Sequence, residues 1–190
     1  MRLIGFQKQM VCAFILAFIG VDSTQAQMTR NDVLNSVTTA KPVQVDGRLD
    51  DWDFSKAIKM CYDLQSLGDS HYAKIAAMHD QHNLYIALQV KDPTPLDNPV
   101  GPNKRSIEEW RGDCLTLRFL IPNANAPVHI RAYRYGDGKH VAMSLTEWDY
   151  SLDGSPKDES TRNLLTEGGE IAFNVDVNGL EYNQEICIPW

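Results

Sequence analysis

Residues 73–92 read AKIAAMHDQHNLYIALQVKD. Apolar residues alternate with other residues on both sides of a polar break, at Ala73, Ile75 and Ala77 before it and at Leu84, Ile86, Leu88 and Val90 after it. A period of two is typical of half-buried strands. The break, Asp80-Gln81-His82-Asn83, has the residue types of a tight turn. This stretch therefore predicts two successive strands joined by a turn.

The same alternation recurs at 115–121 and 171–175. Turn residues at Gly136-Asp137-Gly138 and Asn178-Gly179 predict hairpins, and no long helical period separates the strands. About eight short strands of this kind predict an all-β fold, an antiparallel two-sheet β-sandwich of the jelly-roll type. The long polar stretch 93–112 is predicted to be a loop, and such loops on rigid sandwiches often carry binding groups.

The N-terminus has the features of a secretory signal peptide. Arg2 and Lys8 precede an apolar run at 11–19, and small residues lead to a cleavage position near Ala26. The run is too short for a stable membrane span, so we expect a secreted or periplasmic protein without stable membrane insertion after cleavage. Residues 1–26 are thus assigned to the signal, 27–40 to a polar leader or linker, and 41–190 to one domain.

Charge and cysteine content narrow the partners. The chain has a formal net charge of -7, so it lacks the positive surface that binds phosphate backbones, and nucleic acid is not expected as a partner. Cys61, Cys114 and Cys187 follow the signal without the spacing of a zinc site or a redox dithiol. Two interpretations stay open: all three are small buried hydrophobic residues, or Cys61 and Cys187 form a disulfide.

The usual catalytic motifs are missing from the sequence. It contains no G-x-S-x-G, P-loop, H-E-x-x-H or G-x-G-x-x-G pattern. Two acid pairs occur, Asp50-Asp51 and Glu108-Glu109, but neighbouring side chains on a strand or loop diverge and are poorly placed to flank one bond. We therefore expect a protein that is not an enzyme, although folding could still bring distant carboxylates together for hydrolysis.

Sugar binding requires flat apolar rings for the C–H face of a sugar and planar or charged groups for its hydroxyls. Candidates of these types are Trp110, Trp148, Tyr133, Tyr135 and Arg131. Trp110 lies in the polar loop, where we expect an exposed ring that stacks on a ligand. Trp148 is compatible with either the rim or the core, whereas Trp52 is expected to fill the core at one end of the sandwich.

Several segments, in this order, resemble the family 9 carbohydrate-binding modules and the wider group of DOMON-like sandwiches. Residues 45–52, VDGRLDDW, resemble the family's opening D-G-x-[IL]-D-[DE]-x-W, one residue shorter before the tryptophan. Residues 76–92 resemble its strand, D-x-x-N-L-Y turn and V-x-D exit. Residues 110–117, WRGDCLTL, resemble W-x-x-D-x-[VL]-x-[IL], and 130–133 the next strand with its arginine. Residues 185–190, EICIPW, resemble a late strand, after which family members continue through further strands.

The resemblance implies a non-catalytic module that binds an oligosaccharide or polysaccharide. In sugar-binding members the tryptophan of the third segment is one wall of an aromatic clamp and the arginine reaches sugar hydroxyls, roles that fall on Trp110 and Arg131. Thr116 stands where those members tend to have glutamate, and Tyr133 where they tend to have asparagine.

The resemblance also implies two possible cofactors. Bound calcium is common in such modules, and Asp46, Asp50 and Asp51 offer oxygen ligands near a turn. The alternative function is a b-type haem electron-transfer module, since DOMON-like sandwiches include cytochromes in which methionine pairs with histidine or lysine. Met78 and Met143 lie in candidate strands and could serve as ligands there.

Overall fold

A computed structural model describes residues 31, 33–99, 112–119, 128–150 and 156–190, with the backbone alone at 147–150 and 156–161. The described strands, in chain order, are β1 (Ser36–Thr38), β2 (Ile58–Met60), β3 (Tyr72–His79), β4 (Asn83–Lys91), β5 (Leu115–Phe119), β6 (Val128–Arg134), β7 (Val141–Tyr150), β8 (Pro156–Asn163), β9 (Glu170–Val175) and β10 (Glu181–Pro189). Two short 3₁₀ turns, Phe54–Lys56 and Leu164–Glu167, accompany them. No helix of the described residues is long and apolar enough to cross a membrane.

The strands form two sheets. Sheet A has the order β3, β4, β10, β9, with both β1 and β2 paired to the free edge of β3. Sheet B has the order β5, β6, β7, β8. All pairings are antiparallel except that of β1 with β3. The predicted all-β, two-sheet sandwich is confirmed, as are the hairpins at Gly136–Gly138 and Asn178–Gly179.

The space between the sheets holds the main core. Alternate residues of β3, β4 and β10 meet alternate residues of β6 and β7 there, namely Ile75, Ala77, Ile86, Leu88, Ile186, Ile188, Ile130, Ala132 and Met143. Because side chains alternate along a strand, the intervening residues face outward on each sheet. Gln184 is the polar exception, and its Nε2 donates to the Ala132 carbonyl of sheet B at 3.1 Å.

The outward side of sheet A carries a second core under residues 43–57, here called the cover segment. Trp52 and Val43 of this segment are buried against Met78, Tyr85 and Cys187. Trp52 is 8 % exposed, which confirms its predicted packing role. It fills a third layer outside sheet A and not the space between the sheets. Strands β3, β4 and β10 therefore contribute apolar residues to a core on each face of sheet A.

Three residues of the stretch predicted to be a leader take part in sheet A. Ser36–Thr38 forms β1, which pairs with Ala77, Met78 and His79. The hydroxyl of Ser36 lies 2.7 Å from His79 Nδ1, and that of Thr38 lies 3.2 Å from Nε2. The imidazole thus fastens β1 to the end of β3. The predicted signal, residues 1–26, lies outside the described residues.

The suggested disulfide between Cys61 and Cys187 is not formed. Cys61 directly follows β2, and Cys187 lies in β10, so β3 and β4 stand between them. Three strand spacings amount to about 14 Å, twice the largest Cα separation that a disulfide spans. Cys187 is buried beneath the cover segment, and burial raises the pKa of its thiol to about 11. The packing interpretation therefore describes Cys61 and Cys187, whereas Cys114 is half-buried.

The turn between β3 and β4 depends on Asp80. Its Oδ1 accepts the backbone N–H groups of His82 and Asn83 at 2.7 and 2.8 Å, and its Oδ2 accepts the Tyr85 hydroxyl at 2.7 Å. These bonds, that of His82 first, lower the pKa of Asp80 from 3.8 to about 2. The D-x-x-N-L-Y pattern thus describes one carboxylate that closes a turn and anchors a buried tyrosine.

Asp80 should make stability depend on pH. Its folded pKa lies below its unfolded value, so its contribution is present above pH 3.8 and is lost as the pH falls through about 2. We expect Asp80→Asn to be less stable than wild type at pH 6 and to lose less stability than wild type between pH 4 and pH 2. Urea unfolding at four pH values checks this. Asp69→Asn, at an exposed aspartate, is the control and should follow wild type throughout.

Candidate functional site

The outward face of sheet B brings together two of the predicted binding residues. The register pairs Thr116 of β5 with Arg131 of β6, and Arg131 with Ser144 of β7. Ile130 and Ala132 point into the core, so Arg131 projects to the opposite side, as do Thr116 and Ser144. We call these three residues the arginine row. It places a guanidinium between two hydroxyl groups across adjacent strands.

A positive field surrounds this row. His129 lies one row further along β6, paired with Arg118 and Thr146. Burial lowers the pKa of His129, and the charges of Arg118 and Arg131 lower it further. His129 is 3 % exposed and is therefore favoured in its neutral form. Among the described residues, Arg118 and Arg131 are thus the positive charges that act on His129.

One hydroxyl of the row is unsatisfied. Among the described residues, Ser144 Oγ is buried without a hydrogen-bond partner. Buried polar atoms nearly always have a partner, whether protein, water or ligand.

Tyr133 and Tyr135 lie beyond the arginine row on β6 and in the turn that follows. Their rings meet edge to face, with centroids 5.2 Å apart and planes at 80°. Tyr133 is 4 % exposed, so its ring packs within the protein instead of facing solvent. Tyr135 is half-buried and is the ring of this pair with more solvent access.

A strap formed by residues 95–99 holds the chain that leads into β5. The side chain of Asn98 is fully buried, and its Nδ2 donates to the Asp113 carbonyl at 3.2 Å. The backbone carbonyl of Asn98 accepts from Gly136 N at 2.8 Å. The contact is close: a Cβ on Gly112 would lie 2.6 Å from the Asn98 Cα. Glycine is therefore required at 112, the position that follows Trp110 and Arg111.

A large cleft opens beside Thr116, between the β2–β3 edge of sheet A and the β5 edge of sheet B. Its volume is about 740 Å³, which falls within the range of small-molecule sites. Ile75, Leu88 and Leu115 contribute apolar surface. Polar and aromatic residues also line it, namely Tyr62, Tyr72, His71, Asp92, Asp113 and Tyr182. We call this the edge cleft.

The edge cleft carries acidic residues, in contrast to the basic arginine row. Burial raises the pKa of Asp113, and the nearby charges of Asp92 and Asp97 raise it further. Asp92 Oδ2 lies 3.5 Å from His71 Nε2. Burial, followed by the charges of Asp113 and Asp92, also raises the pKa of Tyr182, so its phenol stays protonated and can donate a hydrogen bond.

The carboxylates of the edge cleft already hold loops. Asp113 Oδ2 accepts Asp97 N at 2.8 Å, and Asp92 Oδ1 accepts the N–H and hydroxyl of Thr94 at 2.7 and 2.6 Å. These bonds orient the carboxylates without arranging them around a reacting bond. The cleft is thus suited to binding hydroxyl groups through acids and phenols.

The side chains of the two tryptophans predicted to bind sugar, Trp110 and Trp148, lie outside the described part of the structure. Trp110 lies outside the described residues. Trp148 is described by its backbone alone, in β7, where it pairs with Glu159. The predicted stacking wall and its relation to Arg131 therefore stay predictions.

The three aspartates predicted as calcium ligands serve the cover segment. Asp46 Oδ1 accepts Arg48 N at 2.9 Å, and Asp51 Oδ2 accepts Gln44 N at 2.8 Å. Asp50 is exposed. Across the described part of the chain, no group of three or more His, Cys, Asp or Glu side chains is placed to hold a metal ion, so these aspartates do not fit a shared ion through their side chains.

The two methionines considered as haem ligands lie in different cores. Met78 is buried under the cover segment, where its sulfur accepts Asp53 N at 3.3 Å. Met143 is 1 % exposed in the core between the sheets. Neither sulfur offers an open coordination position to an iron atom, and these residues therefore do not fit a haem as they are packed.

Sequence reasoning missed three polar residues that the fold makes important. Glu185 and Asn98 are fully buried, and Gln89 is exposed on the outward side of sheet A. The sequence does indicate where Glu185 lies, because the alternation of β10 places it on the same face as Cys187. Reading that face as buried requires knowledge of the cover segment, which comes from the other end of the chain.

At the level of fold, the structure agrees with the resemblance noted in the sequence, since it has two sheets and is mostly β. Antiparallel hairpins join β3 to β4, β6 to β7 and β9 to β10, where the quoted motifs and turns predicted them. Neither a protein-family model nor a curated protein matches the chain.

Proposed function

We propose that this protein is a non-catalytic carbohydrate-binding module. The observation that carries the proposal is the position of the arginine row beside the edge cleft. Thr116 belongs to both, because it lies on the edge strand of sheet B. A sugar at this junction would meet the Arg131 guanidinium on one side and phenols and carboxylates on the other.

The chemistry of the two surfaces suits sugar hydroxyls. A hydroxyl both donates and accepts, and this junction provides donors at Arg131 and Tyr182 and acceptors at Asp92 and Asp113. The apolar wall of the edge cleft, with Leu88 and Leu115, suits the C–H face of a sugar ring. We expect weak binding, in roughly the millimolar range.

Replacing Arg131 with alanine tests the proposal. Hydrogen bonds to a charged group contribute about 1.5–3 kcal/mol, so we expect affinity for the bound sugar to fall by about tenfold or more. The measurement is a titration of soluble mono- and oligosaccharides followed by tryptophan fluorescence. Thr116→Ala should weaken binding by a smaller factor, and Trp110→Ala tests the predicted stacking wall in the same assay.

Arg162→Ala is the matched control. Its guanidinium pairs with the Glu167 carboxylate on an exposed surface away from the arginine row, so affinity should be unchanged. Equal binding by wild type and Arg131→Ala would contradict the proposed site. Release of reducing sugar ends during the titration would contradict the non-catalytic assignment.

We also propose that the protein acts outside the cytoplasm, in a secreted or periplasmic location. The proposal is supported by the charged start, the apolar run and the small residues before Gln27. N-terminal sequencing of the exported protein should begin near Gln27. Retention of Met1 in the mature protein would contradict it.

A further inference from the structure

The outward side of sheet A is covered over only part of its area. The cover segment lies over the row formed by Ala76, Ala87, Glu185 and Ala172, where the Trp52 indole reaches Glu185. The next row lies at the margin of the cover segment, where Gly47 approaches Asn174 so closely that a Cβ on Gly47 would lie 3.0 Å from the Asn174 Cβ. The margin also touches Lys74 and Asn183. Lys74 Nζ lies 4.9 Å from the centre of the Phe54 ring, and Asn183 Nδ2 donates to the Gly47 carbonyl at 3.4 Å.

This marginal row is polar across four strands. The register places Lys74 opposite Gln89, Gln89 opposite Asn183, and Asn183 opposite Asn174. We call these four residues the amide row. Neighbouring strands lie about 4.8 Å apart, so the row extends about 14 Å across the sheet, nearly at right angles to the strands. All four side chains share the outward face because they share the parity of Glu185.

The amide groups are available to a ligand. Gln89 and Asn174 are exposed, and within the described part of the chain their side chains make no hydrogen bond. Each primary amide offers two donors and one acceptor oxygen. Asn183 uses one donor in its long bond to Gly47. Carboxamides on neighbouring strands therefore offer both hydrogen-bond donors and acceptors to one ligand.

Three residues of the amide row, Gln89, Asn183 and Asn174, line a shallow depression of about 290 Å³. On the side away from the cover segment, its rim consists of Tyr72, Lys91 and Glu181, of which Lys91 Nζ and Glu181 Oε1 lie 3.3 Å apart. Asp176 also lines the depression, but its carboxylate accepts N–H groups of its own turn, including that of Glu181 at 3.1 Å. The rim charges are thus engaged within the protein, and the floor is mainly neutral.

We propose that the amide row is a second carbohydrate site, which holds a neutral glycan chain lying across the strands of sheet A. Primary amides suit neutral hydroxyls better than they suit phosphate or sulfate, because half of their capacity is acceptor. The depression lies at the lower end of ligand-site volumes, so one or two sugar units would fill it. The site is separate from the arginine row, which lies on the other sheet.

The test is affinity gel electrophoresis in gels that contain dextran, soluble xylan or hydroxyethylcellulose, with dextran sulfate as a charged probe. Gln89→Ala/Asn174→Ala is made in the wild-type and the Arg131→Ala backgrounds. Neither amide makes a hydrogen bond within the described residues, and alanine keeps the Asn174 Cβ that lies against Gly47, so folding should be unaffected. We expect the double substitution to weaken retardation by a neutral polysaccharide about tenfold, from two hydrogen bonds, in the Arg131→Ala background. Gln81→Ala, an exposed amide in the β3–β4 turn, is the matched control and should not change retardation.

The experiment tests the two proposed sites independently. If the double substitution leaves retardation unchanged in both backgrounds, the amide row is not a glycan site, whatever Arg131→Ala does. If Arg131→Ala has no effect and the double substitution does, the second site stands and the arginine row does not. Retardation by dextran sulfate alone, abolished by salt, would show an anion site at Lys74 and Lys91 and would overturn the proposal of a neutral ligand.

Discussion

Replacing Glu185 with alanine is expected to lower the free energy of unfolding by about 4 kcal/mol, a large fraction of the stability of a domain of this size. The carboxylate is fully buried in β10. Oε1 accepts the Trp52 indole N–H, and Oε2 accepts the backbone N–H groups of Asp46 and Gly47, the former at 3.0 Å. Alanine would leave three buried donors without an acceptor and would open a cavity.

Glu185 joins the cover segment to sheet A through these hydrogen bonds. Burial raises its pKa, whereas the Trp52 and backbone N–H groups oppose that rise. Gly47 is the residue that permits the approach, because it has a φ of +87° and a Cβ there would lie 3.0 Å from the Asn174 backbone. The chain thus bends at a glycine to bring two N–H groups onto one carboxylate oxygen.

Urea unfolding compares Glu185→Ala with Glu185→Gln and Glu181→Ala. Glutamine keeps the volume but turns an NH₂ group toward N–H donors, so we expect a loss of about 2 kcal/mol. Glu181 lies on the same strand with an exposed side chain that pairs with Lys91, and its removal should cost less than about 1 kcal/mol. If Glu185→Ala unfolds at the same urea concentration as Glu181→Ala, the carboxylate does not hold the cover segment.

Local sequence patterns predicted the strands and hairpins because those features depend on neighbouring residues. The alternation at 84–90 and the Asp80 turn are complete within a few residues of the chain. The third layer was not predictable in this way, since Glu185 and Trp52 are far apart in sequence. Alternation alone assigns Glu185 to a solvated face, and only the cover segment makes that face a core.

The candidate site was predictable in part for the same reason. Arg131 and Thr116 were named individually, and strand pairing then placed them side by side on sheet B. The burial of Tyr133 depends on what packs against the outward face, which strand periodicity does not encode. The amide row was missed because Gln89, Asn183 and Asn174 come from three strands and carry no motif.

Asn98→Ala is expected to lower the free energy of unfolding by about 2–3 kcal/mol and to weaken sugar binding. Its buried side chain donates to the Asp113 carbonyl, and the backbone around it holds Gly136. The strap therefore joins the entrance of β5 to the β6–β7 turn at one end of sheet B. Loosening it should move Asp113 at the edge cleft and so reduce affinity at the arginine row, while binding at the amide row stays unchanged.

Asn98→Asp separates charge from volume at the same position. The new carboxylate would lie close to Asp97 and Asp113 with no increase in size, and like charges in a buried site disfavour ionisation. We expect Asn98→Asp to be more strongly destabilised at pH 7 than at pH 4, because the aspartate must be protonated to fit. Asn178→Ala, an exposed asparagine in the β9–β10 turn, provides the control in urea unfolding. Equal loss at both pH values would show that Asn98 acts through its shape alone, and that the acidic end of the edge cleft does not extend to the strap.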